Sequence, residues 1–153
     1  MLHRSVFPAL LLLVGAACQR PQPVATAPAA SEQTRPPAPL RNTRWVLNTL
    51  NGQPVIVPEN GAEPYLLLRL DEPRAEGQAA CNRFFGQFEL PAEGHLRLGG
   101  LGATRRACPQ LAQETAFLAA LGQVTRYRIV ADTLWLSPDS GTPLLRLHAV
   151  YLR

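Results

Sequence analysis

The chain has 153 residues, enough for one domain with extensions. Its net charge of +4 arises mainly before the part that can fold: Arg4, Arg20, Arg35 and Arg41 face only Glu32, whereas from Arg44 onward 11 arginines meet 10 acidic residues. A near-neutral domain lacks the basic face that nucleic-acid binding requires, so that class is set aside. The chain contains no lysine, and its cationic groups are therefore planar, permanently charged forks suited to carboxylates.

In chain order, Met1-Leu2-His3-Arg4 precedes an apolar run from Val6 to Val14, which ends in Gly15-Ala16-Ala17-Cys18. A cationic start, a short apolar stretch and small residues before a cut site predict a secretory signal over residues 1–17. The run is too short for a membrane span of about 20 residues. Small residues directly before cysteine resemble the lipobox of bacterial lipoproteins, although Gly15 stands where leucine is usual. The resemblance implies acylation at Cys18. An ordinary signal-peptidase cut after Ala17 is the alternative. Gln19, rather than aspartate, follows the cysteine, which points to an outer-membrane anchor facing the periplasm. Residues 18–42 are then read as a disordered tether. Pro21, Pro23, Pro28, Pro36, Pro37 and Pro39 lie in it with no aromatic residue, and such composition cannot offset its ordering entropy.

From residue 43 to 153, short alternating runs closed by turn residues predict strands. These are Arg44–Leu50 before the Asn51-Gly52 turn, Tyr65–Leu70, Arg74–Ala80, Arg83–Leu90, His95–Leu98, Arg126–Val130, Thr133–Leu136 and Leu144–Leu152. Gly77 and Gly86 are candidate bulges. Residues 109–123 carry Leu111, Phe117, Leu118 and Leu121 at helical spacing, with Pro109 at the first position. The expected fold class is mainly β: about eight antiparallel strands, curled toward a barrel and closed by one helix.

Trp45-Val46-Leu47, Ala80-Cys81-Asn82-Arg83-Phe84-Phe85-Gly86, Thr104-Arg105-Arg106-Ala107-Cys108-Pro109 and Glu114 with Phe117, Leu118 and Leu121 follow one another in this order. Together with Tyr127, Asp132, Leu134 and Leu136, they resemble the META domain family, the module of HslJ-like heat-shock lipoproteins. The resemblance implies a small barrel-like β fold with one helix. It also implies an envelope location and an association with stress or antibiotic tolerance. It supplies no reaction and no catalytic residues.

Cys81 and Cys108 are the only thiols of the domain. In an exported chain they are expected to form a disulfide, with two buried thiols or a redox role as alternatives. Glu114 projects onto the apolar side of the helix and needs a partner there. Arg83, Arg105 and Arg106, in the strings beside the two cysteines, are the expected cations of a structural ion pair, with Asn82 a motif residue next to them. His95 and His148 have no ligand-like spacing from a cysteine, so no metal is expected. No nucleophile–base set is recognisable, and no cofactor is expected. The leading expectation is a monomeric, non-catalytic envelope lipoprotein, anchored to the membrane through Cys18 and meeting envelope proteins. A small-ligand carrier using the barrel interior is the alternative.

Overall fold

Asn51 and Gly52 both take positive φ, 50° and 77°, the backbone that a tight two-residue hairpin turn requires. They fold β1 (Arg44–Leu50) back onto a two-residue strand, β2 (Gln53–Pro54). The computed structural model describes residues 36–151. The expected signal and Cys18 lie outside the described residues. The remaining elements are β3 (Tyr65–Leu68), β4 (Arg74–Gln78), β5 (Arg83–Glu89), β6 (Arg97–Ala103), α1 (Leu111–Gly122), β7 (Arg126–Val130), β8 (Thr133–Ser137) and β9 (Leu145–Val150). All pairings are antiparallel, in the order β6-β5-β4-β3-β1-β9-β8-β7, with β2 on β1.

The sheet curls until its two ends approach. Leu96 N–H donates to Thr125 O at 3.0 Å and Tyr127 N–H to Gly94 O at 2.9 Å, so the chain entering β6 binds the start of β7. Helix α1 packs against β6 and β1. Its Phe117 meets Phe84 of β5 edge-on, ring centroids 5.9 Å apart at 87°, a favoured aromatic geometry. Trp45, Leu66, Leu68, Leu96, Leu121, Leu134, Leu136, Leu145 and Leu147 are fully buried between sheet and helix. These side chains form one apolar core inside the curl of the sheet.

Two glycines of β4 and β5 behave differently. At Gly86 the register shifts: Gly100, with φ of 61°, and Leu101 of β6 stand opposite Gly86 alone. That is a bulge of two residues against one. It carries β6 through Gly99-Gly100 to Ala103, where the sequence predicted a strand ending at Leu98 and a turn. Gly77 keeps regular register between Leu66 and Phe84. A Cβ there would come 2.7 Å from Cε1 of Phe84 and would collide with the Tyr65 carbonyl oxygen. Gly77 therefore serves close packing, not a bulge.

Other boundaries also move. The helix begins at Leu111 after Gln110, because Cys108 to Gln110 form a turn in which Leu111 N–H donates to Cys108 O. Leu111 is exposed rather than part of the buried face. Residues 38–42, expected in the tether, lie against the sheet. Ala38 N–H donates to Ala131 O at 3.0 Å and Asn42 N–H to Leu68 O at 2.7 Å. The Leu40 carbonyl accepts from the buried Trp45 Nε1 at 2.9 Å. A buried indole N–H needs an acceptor, and this segment supplies it. No helix among the described residues is long and apolar enough to cross a membrane.

Candidate functional site

The strings that carry the resemblance converge on one polar cluster. The turn from Ala79 to Asn82 joins β4 to β5 and is closed by Ala79 N–H donating to Asn82 O at 2.8 Å. This presents the Cys81 and Asn82 amides to the first turn of α1, where Glu114 lies. Glu114 Oε2 accepts from Cys81 N–H at 3.1 Å and from Asn82 N–H at 2.9 Å. Glu114 Oε1 accepts from Asn82 Nδ2 at 2.7 Å.

Asn82, 1% exposed, continues the network to the loop after β6. Its Nδ2 also donates to Arg106 O at 3.1 Å. Its Oδ1 accepts from Thr104 Oγ1 at 2.9 Å and from Arg106 N–H at 2.7 Å. Both amide hydrogens and both acceptor positions of the carboxamide are therefore in use, the full capacity of an asparagine. A disulfide between Cys81 and Cys108, Cα atoms 6.3 Å apart, joins the same turn to the same loop. Three segments distant in sequence are fastened by one carboxamide, one carboxylate and one covalent bond.

Glu114 does not pair with an arginine. Burying a carboxylate is costly unless it is hydrogen-bonded, and here three N–H donors and its place in the first helical turn meet that requirement. Arg83, Arg105 and Arg106 are exposed, and none forms an ion pair among the described residues. Arg106 joins the cluster only through its backbone. Asn82, not a cation, is the side-chain partner. The Cys-Asn-Arg-Phe string marked its place, but no spacing rule discloses which side chain meets the carboxylate. Thr104 lies in the Thr-Arg-Arg-Ala-Cys string, and no spacing rule discloses that its hydroxyl donates to Asn82.

The remaining singled-out residues lie elsewhere. His95 Nδ1 is 3.0 Å from Glu93 O, and His148 Nδ1 is 2.7 Å from Asn48 Oδ1. Trp45 is in the core, and Trp135 lies under the Arg128 guanidinium, 4.4 Å from its centroid.

Chemically, the cluster is built to hold backbone in place. Glu114→Gln is expected to lower stability by about 1–3 kcal/mol, because an amide NH2 would confront N–H donors that now meet an oxygen. Urea unfolding of the oxidised protein measures it. An unchanged midpoint would show that the carboxylate contributes nothing.

Comparison with known proteins places the chain in a family. The family model described as META domain matches residues 38–151, so it includes the segment 38–42 that packs on the sheet. Heat shock protein HslJ of Escherichia coli (strain K12) is 35% identical over 114 residues, covering 72% of this chain and 78% of that protein. A solved structure described as the NMR structure of the protein from Burkholderia xenovorans superposes with a TM-score of 0.59 at 30% identity. It covers 86% of this chain and 97% of that one. The chain belongs to the META domain family.

Proposed function

We propose that this protein is a membrane-anchored envelope lipoprotein, acylated at Cys18, whose META domain acts without catalysis in heat-shock or envelope-stress tolerance, including tolerance of antibiotics. The observation that carries the reading is the Cys81–Cys108 disulfide. Disulfides persist in oxidising compartments, and with this pair bonded, Cys18 is the one remaining thiol of the three cysteines in the sequence. It follows directly on the Gly15-Ala16-Ala17 run after a short apolar stretch. Two or three acyl chains would make such an anchor stable, where a single chain binds only marginally. Gln19 favours the outer membrane, with the domain facing the periplasm.

Two further observations support the non-catalytic part. The side-chain polar atoms of Asn82 and Glu114 are spent on fastening backbone, so these signature residues present no free nucleophile–base pair. The apolar core that occupies the inside of the curl favours an outward-facing binding module over a carrier of small ligands. The stress assignment rests on the similarity to a protein named for heat shock. Cells expressing the full chain and fed an alkyne fatty acid should label it, and Cys18→Ser should abolish the label. A wild-type protein that is exported but unlabelled would overturn the anchor and leave a plain secreted domain.

A further inference from the structure

We propose that the trough on the outer face of the sheet, between the 59–63 loop and the 104–110 loop, binds an acidic peptide in extended form, with Arg83 and Arg106 taking its carboxylates. The inference goes beyond the lipoprotein reading and holds whether or not Cys18 is acylated.

The trough is a depression of about 780 Å³, lined among others by Asn60, Gln78, Arg83, Arg106 and Gln110, with the disulfide in its wall. A second depression of about 410 Å³ shares Ala62, Gln78 and Arg83 with it and continues to Tyr65 and Arg44. Together they cross β5, β4, β3 and β1. Three inter-strand steps of about 4.8 Å make roughly 14 Å, the length of about four extended residues.

Charge decides what such a groove prefers. Arg44, at the far end, is already paired with Glu63 at 3.5 Å and lies over the Tyr65 ring at 4.4 Å. Arg69, Arg74 and Arg126 also have carboxylate partners. Arg83 and Arg106 have neither an ion pair nor a side-chain hydrogen bond among the described residues. Two uncompensated guanidinium groups in one concavity focus a positive potential, and each presents a fork that matches a carboxylate in bidentate fashion. The carboxamides of Asn60 and Gln110 and the Oε1 of Gln78, whose Nε2 donates to Ala80 O at 3.2 Å, are suited to peptide N–H and C=O groups.

The polar cluster described above gives these cations fixed roots. Arg83 follows Asn82 directly, and both backbone polar groups of Arg106 are bonded to the Asn82 side chain. A site whose backbone is held before the ligand arrives loses less ordering entropy on binding. The cluster and the disulfide therefore prepare a binding face that they do not themselves form.

Fluorescence anisotropy of labelled hexaglutamate, titrated with oxidised full-length protein at low salt, tests the proposal. Saturable binding is expected, with hexaglutamine not binding. Arg83→Ala and Arg106→Ala should each weaken it by about tenfold or more, the scale of a charge-assisted contact. Both side chains are exposed, and Arg106→Ala keeps the backbone bonds, so these variants should fold, as circular dichroism can verify. Arg97→Ala with Arg146→Ala removes twice the charge of either single variant from exposed, unpaired arginines elsewhere and should change affinity by less than about twofold. Absence of saturable binding, or an equal loss in that control pair, would overturn the site. Displacement of hexaglutamate by an equal concentration of inorganic phosphate would also overturn it, reassigning the trough to phosphate.

Discussion

Replacing Asn82 with alanine is expected to lower the unfolding free energy by roughly 3–5 kcal/mol. The truncation removes one side chain but strands several groups. Glu114 Oε1, Arg106 N–H and Arg106 C=O each lose a bond that Asn82 supplies at 2.7, 2.7 and 3.1 Å. A buried polar group left without a partner costs about 1–3 kcal/mol. Part of that cost is relieved at Arg106, where the loop reaches solvent, which sets the upper end of the range. Asn82→Asp should cost at least as much, since an oxygen would replace the Nδ2 donor facing the Glu114 carboxylate and bring two like charges together. Urea denaturation of the oxidised protein gives both values. A loss below about 1 kcal/mol for Asn82→Ala would mean that water or a rearranged loop satisfies the stranded groups, and that the cluster is not a fastening.

Removing the disulfide as Cys81→Ser with Cys108→Ser should cost roughly 3–4 kcal/mol, the chain-entropy value for the observed sequence separation of 27 residues. The bond joins two of the three segments that the polar cluster ties, so removing both leaves neither to hold the turn against the loop. In the doubly substituted serine background, Asn82→Ala would leave the 104–110 loop without either fastening. Combined losses of about 6–9 kcal/mol match the whole stability of many domains. The expected result is a chain that no longer unfolds cooperatively at room temperature, while either change alone leaves a folded protein. Thermal and urea transitions of the three variants test this, and a combined variant that still unfolded cooperatively would contradict it.

Much of the architecture was legible because it follows from local rules. The Asn51-Gly52 hairpin, the alternation in Arg83–Leu90 and Thr133–Leu136, and the single helical pattern near Phe117 and Leu121 all state their structure in residues close in sequence. Glu114 was legible as a buried carboxylate for the same reason, since its place on the helix face depends only on helical period. Its partner was not. That partner comes from a turn 32 residues earlier, and a backbone N–H carries no sequence signature. The run through Gly99-Gly100 has the composition of a turn although it is strand, because glycines serve turns and bulges alike, and only the opposing Gly86 decides between them. The packing of residues 38–42 on the sheet is hidden in the sequence for a different reason. Ala38, Pro39 and Leu40 have tether-like composition, yet their carbonyl and amide groups are what Trp45, Thr43 and Ala131 bind. The trough was invisible in sequence, because its arginines and carboxamides come from loops and strands that meet only after the sheet has curled.

Asn82, Glu114 and the disulfide fasten the 79–82 turn and the 104–108 loop to the first turn of the helix. Amide hydrogen exchange at Cys81, Asn82 and Arg106 in the oxidised protein reads that fastening. Each of these N–H groups donates to Glu114 or to Asn82, so exchange is expected only through global unfolding, as slow as at core strand residues such as Leu66 and Leu147. In Glu114→Ala, which removes the acceptor of the first two, those two should accelerate selectively. Rapid exchange of all three amides in the wild-type protein, as in a freely opening loop, would show that the turn and loop are not fastened.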